Sequence, residues 1–339
     1  MTNYRPTQLF AALSLAAVWW MTAVQGARAQ EVPTLKIGAS QNDAGLGTIP
    51  FLLAQRNGYF AREGVNIELV RFGGPTLIDV LWNQYAGLEK GDVALIRSQA
   101  AFLIERVMKG GDFVGIAGNT TNPVYSLLAR PDIGSFADLK GKTVALTYAN
   151  DLITVGTRAL MELHGLAAGD VTIAAIEGSP PRMECVRSGR CGAVSVGQPA
   201  DFAAVALGYH RLGVINEIGP LVFGVDVVTN AWARTHRDVV VRYLRAMAAA
   251  LRYANDPAHD AEMLSLIAEA AKTDADVSRA ILQDYRNPKY HVLSRQGEID
   301  PDAFAHVLAL EGKYGQLPQS LPEPTRFVDR AYLEAAGVK

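Results

Sequence analysis

Residues 49–74 read IPFLLAQRNGYFAREGVNIELVRFGG. Ile49 to Asn57 carries a helical pattern that stops at Gly58, because glycine takes the left-handed backbone of a helix end without a Cβ penalty. Val65 to Phe72 follows as a strand, with Val65, Ile67 and Leu69 alternating against Asn66 and Glu68. Gly73-Gly74-Pro75 breaks that strand, and Thr76 to Gln84 can be helix again. Helix, strand and glycine break in this order are the unit from which the rest of the chain can be read.

Upstream, Leu35 to Ala39 is a β-prone run that opens into the polar loop Ser40-Gln41-Asn42-Asp43. Downstream, Gly91-Asp92 leads into Val93-Ala94-Leu95-Ile96, a continuous apolar run of the kind buried in parallel sheets. A helix over Ala100 to Met108 and a strand over Phe113 to Ala117 complete a first unit. A second begins near Arg130-Pro131. It runs strand Thr143 to Leu146, helix Ile153 to His164, strand Val171 to Ile176, helix Arg182 to Arg187, strand Gly192 to Val196 and helix Pro199 to Leu207. Such alternation predicts an α/β fold with parallel sheets covered on both faces. From Thr235 only helices follow. Val239, Val240, Tyr243, Leu244, Met247, Leu251 and Ala254 share one face of a long helix ending at Asn255-Asp256-Pro257. Thr273, with Asp276 three residues on, is expected to start another.

The chain has 339 residues, a net charge of -2, 49% hydrophobic residues and two cysteines. That length suits two domains. The near-neutral balance argues against nucleic-acid binding, which needs a basic surface. Two cysteines are too few for a disulfide scaffold. Residues 1–29 read as a cleaved signal peptide: Arg5, an apolar run from Leu9 to Val24, then Ala27-Arg28-Ala29. The run is short of a membrane span. Export after Ala29 would place a soluble chain in an oxidising compartment.

Signals for catalysis and metal binding are weak. There is no phosphate-binding loop and no dinucleotide fingerprint, and Gly45-Leu46-Gly47 lacks the third glycine. The histidines are scattered, none at metal-ligand spacing. His164 suits a helix C-terminus, and His259 and His306 suit exposed helix faces. Ala193-Val194-Ser195-Val196-Gly197 is one residue from a nucleophile elbow, but the β-prone run continues through Ser195 and the turn falls later, at Gly197-Gln198-Pro199. Ser195 is expected inside a strand. Cys185 and Cys191 bracket a short turn and are expected to pair in an oxidising compartment.

Read in order, these stations resemble the solute-binding proteins of ABC importers for nitrate, taurine and sulfonates. The residues that carry the likeness are Pro50 to Val65 with its Gly-Tyr-Phe and Glu-Gly, Gly73-Gly74, Gly91-Asp92-Val93-Ala94 and Leu139-Lys140-Gly141-Lys142-Thr143-Val144. Gly315-Gln316-Leu317, Phe327-Val328-Asp329 and Tyr332-Leu333 extend it to the C-terminus. Gly192 stands where that family usually has an acid, and Arg97-Ser98 where it more often has a small residue. Thiamine-pyrimidine synthases look similar in fold but carry a dense cysteine cluster, which this chain lacks.

The resemblance implies a two-lobed periplasmic-binding-protein type II fold: two mainly parallel sheets flanked by helices, two crossover strands and C-terminal helices. Lobe 1 would comprise 30–124 and 225–339, and lobe 2 125–224, with hinge crossings near 125–130 and 220–226. It implies a non-enzyme, periplasmic and monomeric, that binds a small organic anion and hands it to an ABC permease with a separate ATPase. Sulfonate, taurine-like molecules and carboxylates are the expected ligands. A pyrimidine or vitamin precursor, or a same-fold synthesis enzyme, is the alternative. No cofactor or metal is implied.

Ligands of open α/β sheets sit beyond the carboxyl ends of the strands, where helix N-termini offer free N–H groups. The loops in that position put Gln41, Asn42, Thr76, Arg97, Ser98, Asn119, Tyr148, Asn150 and Gln198 at the ligand, with Asp226 beside them. Arg97, ending the apolar run Val93 to Ile96, is expected to pair with the ligand's anionic group, since guanidinium matches carboxylate and sulfonate geometry. A structural ion pair with Asp43 or Asp226 is the alternative role for that residue.

Overall fold

Residues 1–2, 32–40 and 46–338 are described by the computed structural model. The segment expected to be a signal peptide, from residue 3 on, and Gln41, Asn42 and Asp43 lie outside the described residues. Thr34–Lys339 form one unit by their contacts. The strands and helices in chain order are β1 (Thr34–Ser40), α1 (Ile49–Arg56), α2 (Tyr59–Arg62), β2 (Asn66–Phe72), α3 (Leu77–Lys90), β3 (Leu95–Gln99), α4 (Ala100–Met108), β4 (Phe113–Thr120) and β5 (Tyr125–Ala129). Then come β6 (Thr143–Leu146), α5 (Leu152–Leu163), β7 (Thr172–Ala175), α6 (Ser179–Arg187), β8 (Ala193–Gly197), α7 (Ala200–Ala206), β9 (His210–Val214) and β10 (Gly224–Thr229). The remainder is helical: α8 (Asn230–Thr235), α9 (Arg237–Asn255), α10 (Asp260–Ala271), α11 (Ala275–Arg286), α12 (Pro301–Tyr314) and α13 (Ala331–Ala335).

The strands form two five-stranded sheets, in the orders β2-β1-β3-β10-β4 and β7-β6-β8-β5-β9. Each is parallel except for one strand: β10 runs antiparallel to β3 and β4, and β5 antiparallel to β8 and β9. The chain leaves the first sheet after Thr120, and 121–124 carry it into β5. It returns through 215–223 into β10. The two antiparallel strands are thus the ones that enter each sheet from the other.

Both faces of the second sheet are covered, as its continuous apolar strands require. Val144 and Leu146 pack into one cluster with Leu127, Leu160 and Met161. Their neighbours Ala145 and Val194 pack on the opposite face with Cys185, Val186 and Val196. The apolar stripe of α9 packs into the same cluster as Leu35, Ile37 and Ile96 of the first sheet. Cys185 and Cys191 are bonded, with S–S 2.06 Å and Cα–Cα 5.2 Å.

Local signals were read well where glycine sets the backbone. Gly58 has φ 65° and separates α1 from α2, and Gly91 has φ 78° at the end of α3. Three expectations are corrected. The strand expected over Val93 to Ile96 runs instead from Leu95 to Gln99, because β10 pairs Gly224 with Gln99, Val225 with Ser98 and Asp226 with Arg97. Likewise Asn119 and Thr120 lie in β4, not in a loop, held by the same strand. The cap of α11 is Asp274, not Thr273: its carboxylate accepts from the N–H groups of Asp276 and Val277, and Thr273 Oγ1 instead meets Ser278 Oγ.

Candidate functional site

A cleft of about 450 Å³ lies between the two sheets, at the carboxyl ends of β1, β3 and β4 on one side and of β6 and β7 on the other. Arg97, Ser98, Asn119 and Tyr148 line it. Thr76, Asn150, Gln198 and Asp226 do not. Each of these four is occupied within the protein. Thr76 caps α3, its Oγ1 accepting from Asp79 N at 3.1 Å. Asn150 Oδ1 accepts from Gln316 N at 3.0 Å, and Gln198 Nε2 donates to Asp284. Asp226 is buried behind the cleft wall, where Asn119 Nδ2 (2.8 Å) and Tyr243 Oη (3.0 Å) donate to its carboxylate.

Arg97 lies on β3 with its guanidinium over the Phe51 ring, 4.8 Å from the centroid, opposite Asp226 on β10. Burial pushes the Asp226 carboxyl up, while Asn119, the Arg97 charge and Tyr243 pull it down. Arg97 is thus both a neighbour of that buried acid and part of the cleft wall. Ser98 Oγ accepts from Tyr85 Oη at 3.1 Å.

The start of α3 was expected to present free N–H groups, and it does not. Glu177, which follows β7, accepts from Leu77 N across the cleft. Tyr148 Oη accepts from Ile78 N at 3.2 Å. With Thr76 on Asp79 N, the first turn of the helix is satisfied from within the protein. Burial, then the neighbouring Glu177 carboxylate, hold the Tyr148 phenol above its ordinary range. In the other direction, Gln99 Oε1 on β3 accepts from Leu152 N, the first residue of α5, at 3.3 Å. Each sheet layer therefore caps a helix of the other.

Sequence reasoning missed Arg182. It sits in the first turns of α6, 3% exposed, and lines the cleft. Its Nε donates to Ser195 O (3.0 Å), one terminal nitrogen to Ile176 O (3.1 Å) and the other to Ser179 Oγ (3.2 Å). All three partners are neutral, so they satisfy the N–H groups without cancelling the charge. Burial pulls its pKa down, and Tyr125, Asp151 and Tyr148 act against that. Asp151 lines the cleft too, but its carboxylate caps α5 through Thr154 N at 2.7 Å and accepts from Thr147 Oγ1. Burial raises the Asp151 pKa, against those bonds. Glu177 and Arg182 come from one segment, around Gly178-Ser179-Pro180-Pro181, and that strand-to-helix turn was the available signal for both.

The rest of the lining is apolar or aromatic. Leu77, Val80 and Leu81 face the cleft from one stripe of α3, with Phe102 of α4 beside them. Tyr125 and Phe223, at the two passages between sheets, stack at 6.3 Å and 29°. Ser195 is placed elsewhere: it is fully buried in β8, and its Oγ accepts from Thr157 Oγ1 at 3.1 Å.

Solved structures share this fold. The aliphatic sulphonate binding protein SsuA from Escherichia coli is 19% identical, with a TM-score of 0.68 over 89% of this chain and 99% of that one. The nitrate-binding protein NrtA from Synechocystis PCC 6803 is 16% identical, with a TM-score of 0.68 over 91% and 89%. The desulfurization enzyme DSZB is 16% identical, with a TM-score of 0.64 over 90% and 98%. At these identities the likeness establishes the periplasmic-binding-protein fold. Comparison with curated proteins finds no match. A family model described as NMT1/THI5 like matches residues 47–260, and the chain belongs to the NMT1/THI5-like family.

Proposed function

We propose that the protein is the solute-binding component of an ABC importer, exported to the periplasm, and that its cleft closes on a small organic anion with an apolar body. Residues 30–124 with 225–339 would act as one lobe and 125–224 as the other, and the complex would hand its ligand to a permease driven by a separate ATPase. One observation carries this reading: a single cleft is lined by the two cationic residues Arg97 and Arg182 together with the apolar stripe Leu77, Val80 and Leu81. Guanidinium suits an oxyanion, and the stripe suits an alkyl or aryl body. A cleft of about 450 Å³ is roomy for a bare inorganic ion. The names of the structural neighbours, sulphonate- and nitrate-binding among them, agree with an anionic ligand.

Tyr125 and Phe223 favour a second reading, a planar ring such as a pyrimidine or vitamin precursor stacked in the cleft. A thermal-shift screen over alkanesulfonates, aryl carboxylates, taurine, nitrate and pyrimidines separates the two, because saturating ligand raises the melting temperature by mass action. A shift with nitrate alone would exclude the organic-anion reading. The enzymatic alternative is tested in the same samples by mass spectrometry. Reversible binding without product supports a carrier, and sustained conversion overturns it.

A further inference from the structure

We propose that Gln84 is a specificity-determining residue of the cleft, its carboxamide hydrogen-bonding to the polar head of the ligand; this rests on the binding reading above. Gln84 follows Leu77, Val80 and Leu81 on the stripe of α3 that lines the cleft, and it is only 6% exposed. Three polar side chains of the same cleft have partners: Asn119 donates to Asp226, Ser98 accepts from Tyr85, and Gln99 accepts from Leu152 N. Among the described residues the Gln84 amide has no hydrogen-bond partner, and its polar atoms reach the cavity surface. Tyr125 Oη, from the other sheet, is in the same position. A hydrophobic residue of equal length would fill the same space, so packing alone does not call for an amide here. The cleft therefore holds one unpaired carboxamide and one unpaired phenol where a ligand can supply the missing partner. An oxygen acceptor on the ligand, carboxylate or sulfonate, would take Nε2–H of Gln84 and O–H of Tyr125 together. The ligand would then bridge the two sheets through neutral groups, leaving the guanidinium groups to set charge preference.

The test compares wild type, Gln84→Met and Tyr125→Phe by calorimetric titration with hexane-1-sulfonate and benzoate, and by melting without ligand. Gln84→Met should melt no lower than wild type, since the amide has no partner among the described residues to lose. The same variant should bind the probe about tenfold more weakly, the loss typical of one hydrogen bond. Tyr125→Phe should weaken binding similarly without lowering the melt. Unchanged affinity in Gln84→Met, with wild type binding normally, overturns the inference and leaves the carrier reading standing. If wild type binds neither probe, the organic-anion reading is what fails. The melts still decide the residue then: a Gln84→Met protein that melts several degrees lower shows a structural amide and overturns the inference.

Discussion

The Glu177 carboxylate and the Leu77 N–H are joined across the cleft, one from the loop after β7 and the other from the first turn of α3. An acid of the protein thus occupies the helix N-terminus at which an anionic ligand would be expected. Tyr148 reinforces the contact through Ile78 N at 3.2 Å. These two bonds join the first turn of α3 to the segments that follow β6 and β7.

Glu177→Ala should open the unliganded protein. Small-angle scattering at neutral pH should record a larger radius of gyration than for wild type, as expected for hinge motion about the two passages between sheets. The contact is partly exposed, so melting should fall only slightly, by about 1 kcal/mol of stability. Superimposable scattering profiles would show that the Glu177–Leu77 bond does not hold the two sheets together.

Arg97→Ala should weaken binding of an anionic probe by about 2–5 kcal/mol if the guanidinium meets the ligand. Asp226 lies opposite Arg97 on β10, so counter-charge must be separated from recognition. The double variant Arg97→Met with Asp226→Asn removes both charges at once. Recovery of wild-type affinity by that protein would show that Arg97 serves Asp226 only, whereas persistent loss assigns it to the ligand.

Glu311 on α12 predicts an alkaline loss of stability. It is fully buried, and neither carboxyl oxygen has a hydrogen-bond partner. Burial, then the charges of Asp151 and Glu105, push its pKa to about 8. Because this acid is raised in the folded state, folding holds its proton where the unfolded chain has released it. Its favourable contribution is complete below the usual 4.5 and falls as pH rises to about 8. The change amounts to about 3–5 kcal/mol. Glu311→Gln should flatten melting temperature against pH between these limits and melt higher at pH 8. Parallel curves for the two proteins would remove Glu311 as the cause.

Cys185 and Cys191 should be recovered as one cross-linked peptide when exported protein is digested without reductant and analysed by mass spectrometry. Two free thiols would contradict the pairing. Replacing both by alanine should cost less than about 3 kcal/mol, since the closed loop is short.

The chain's local grammar was readable wherever one residue sets its own conformation. Gly58 and Gly91 end their helices in the left-handed region, and Ser195 lies in a strand because Val194 and Val196 continue the β-prone run past it. The site was legible only in part. Arg97, Ser98, Asn119 and Tyr148 reach the cleft because strand ends converge there, whatever the packing of side chains. Glu177 and Arg182 were marked only by the strand-to-helix turn that carries them, and Gln84 by nothing local, since the role of Glu177 depends on Leu77 a hundred residues away and that of Gln84 on what surrounds it in the cleft.

What the sequence by itself determined is the alternation of strands and helices, the helical C-terminal part and the covered faces of both sheets. Apolar periodicity and glycine position act over a few residues, and no distant partner is needed to read them. Only the tertiary structure decided that Arg97 to Gln99 extend a strand, because β10 arrives from beyond residue 220 to pair with them. It alone decided that Glu177 fills the α3 N-terminus and that Gln84, two turns further along, lines the cleft. Hydrogen bonds between segments a hundred residues apart depend on the three-dimensional placement of both ends, which no window of sequence contains.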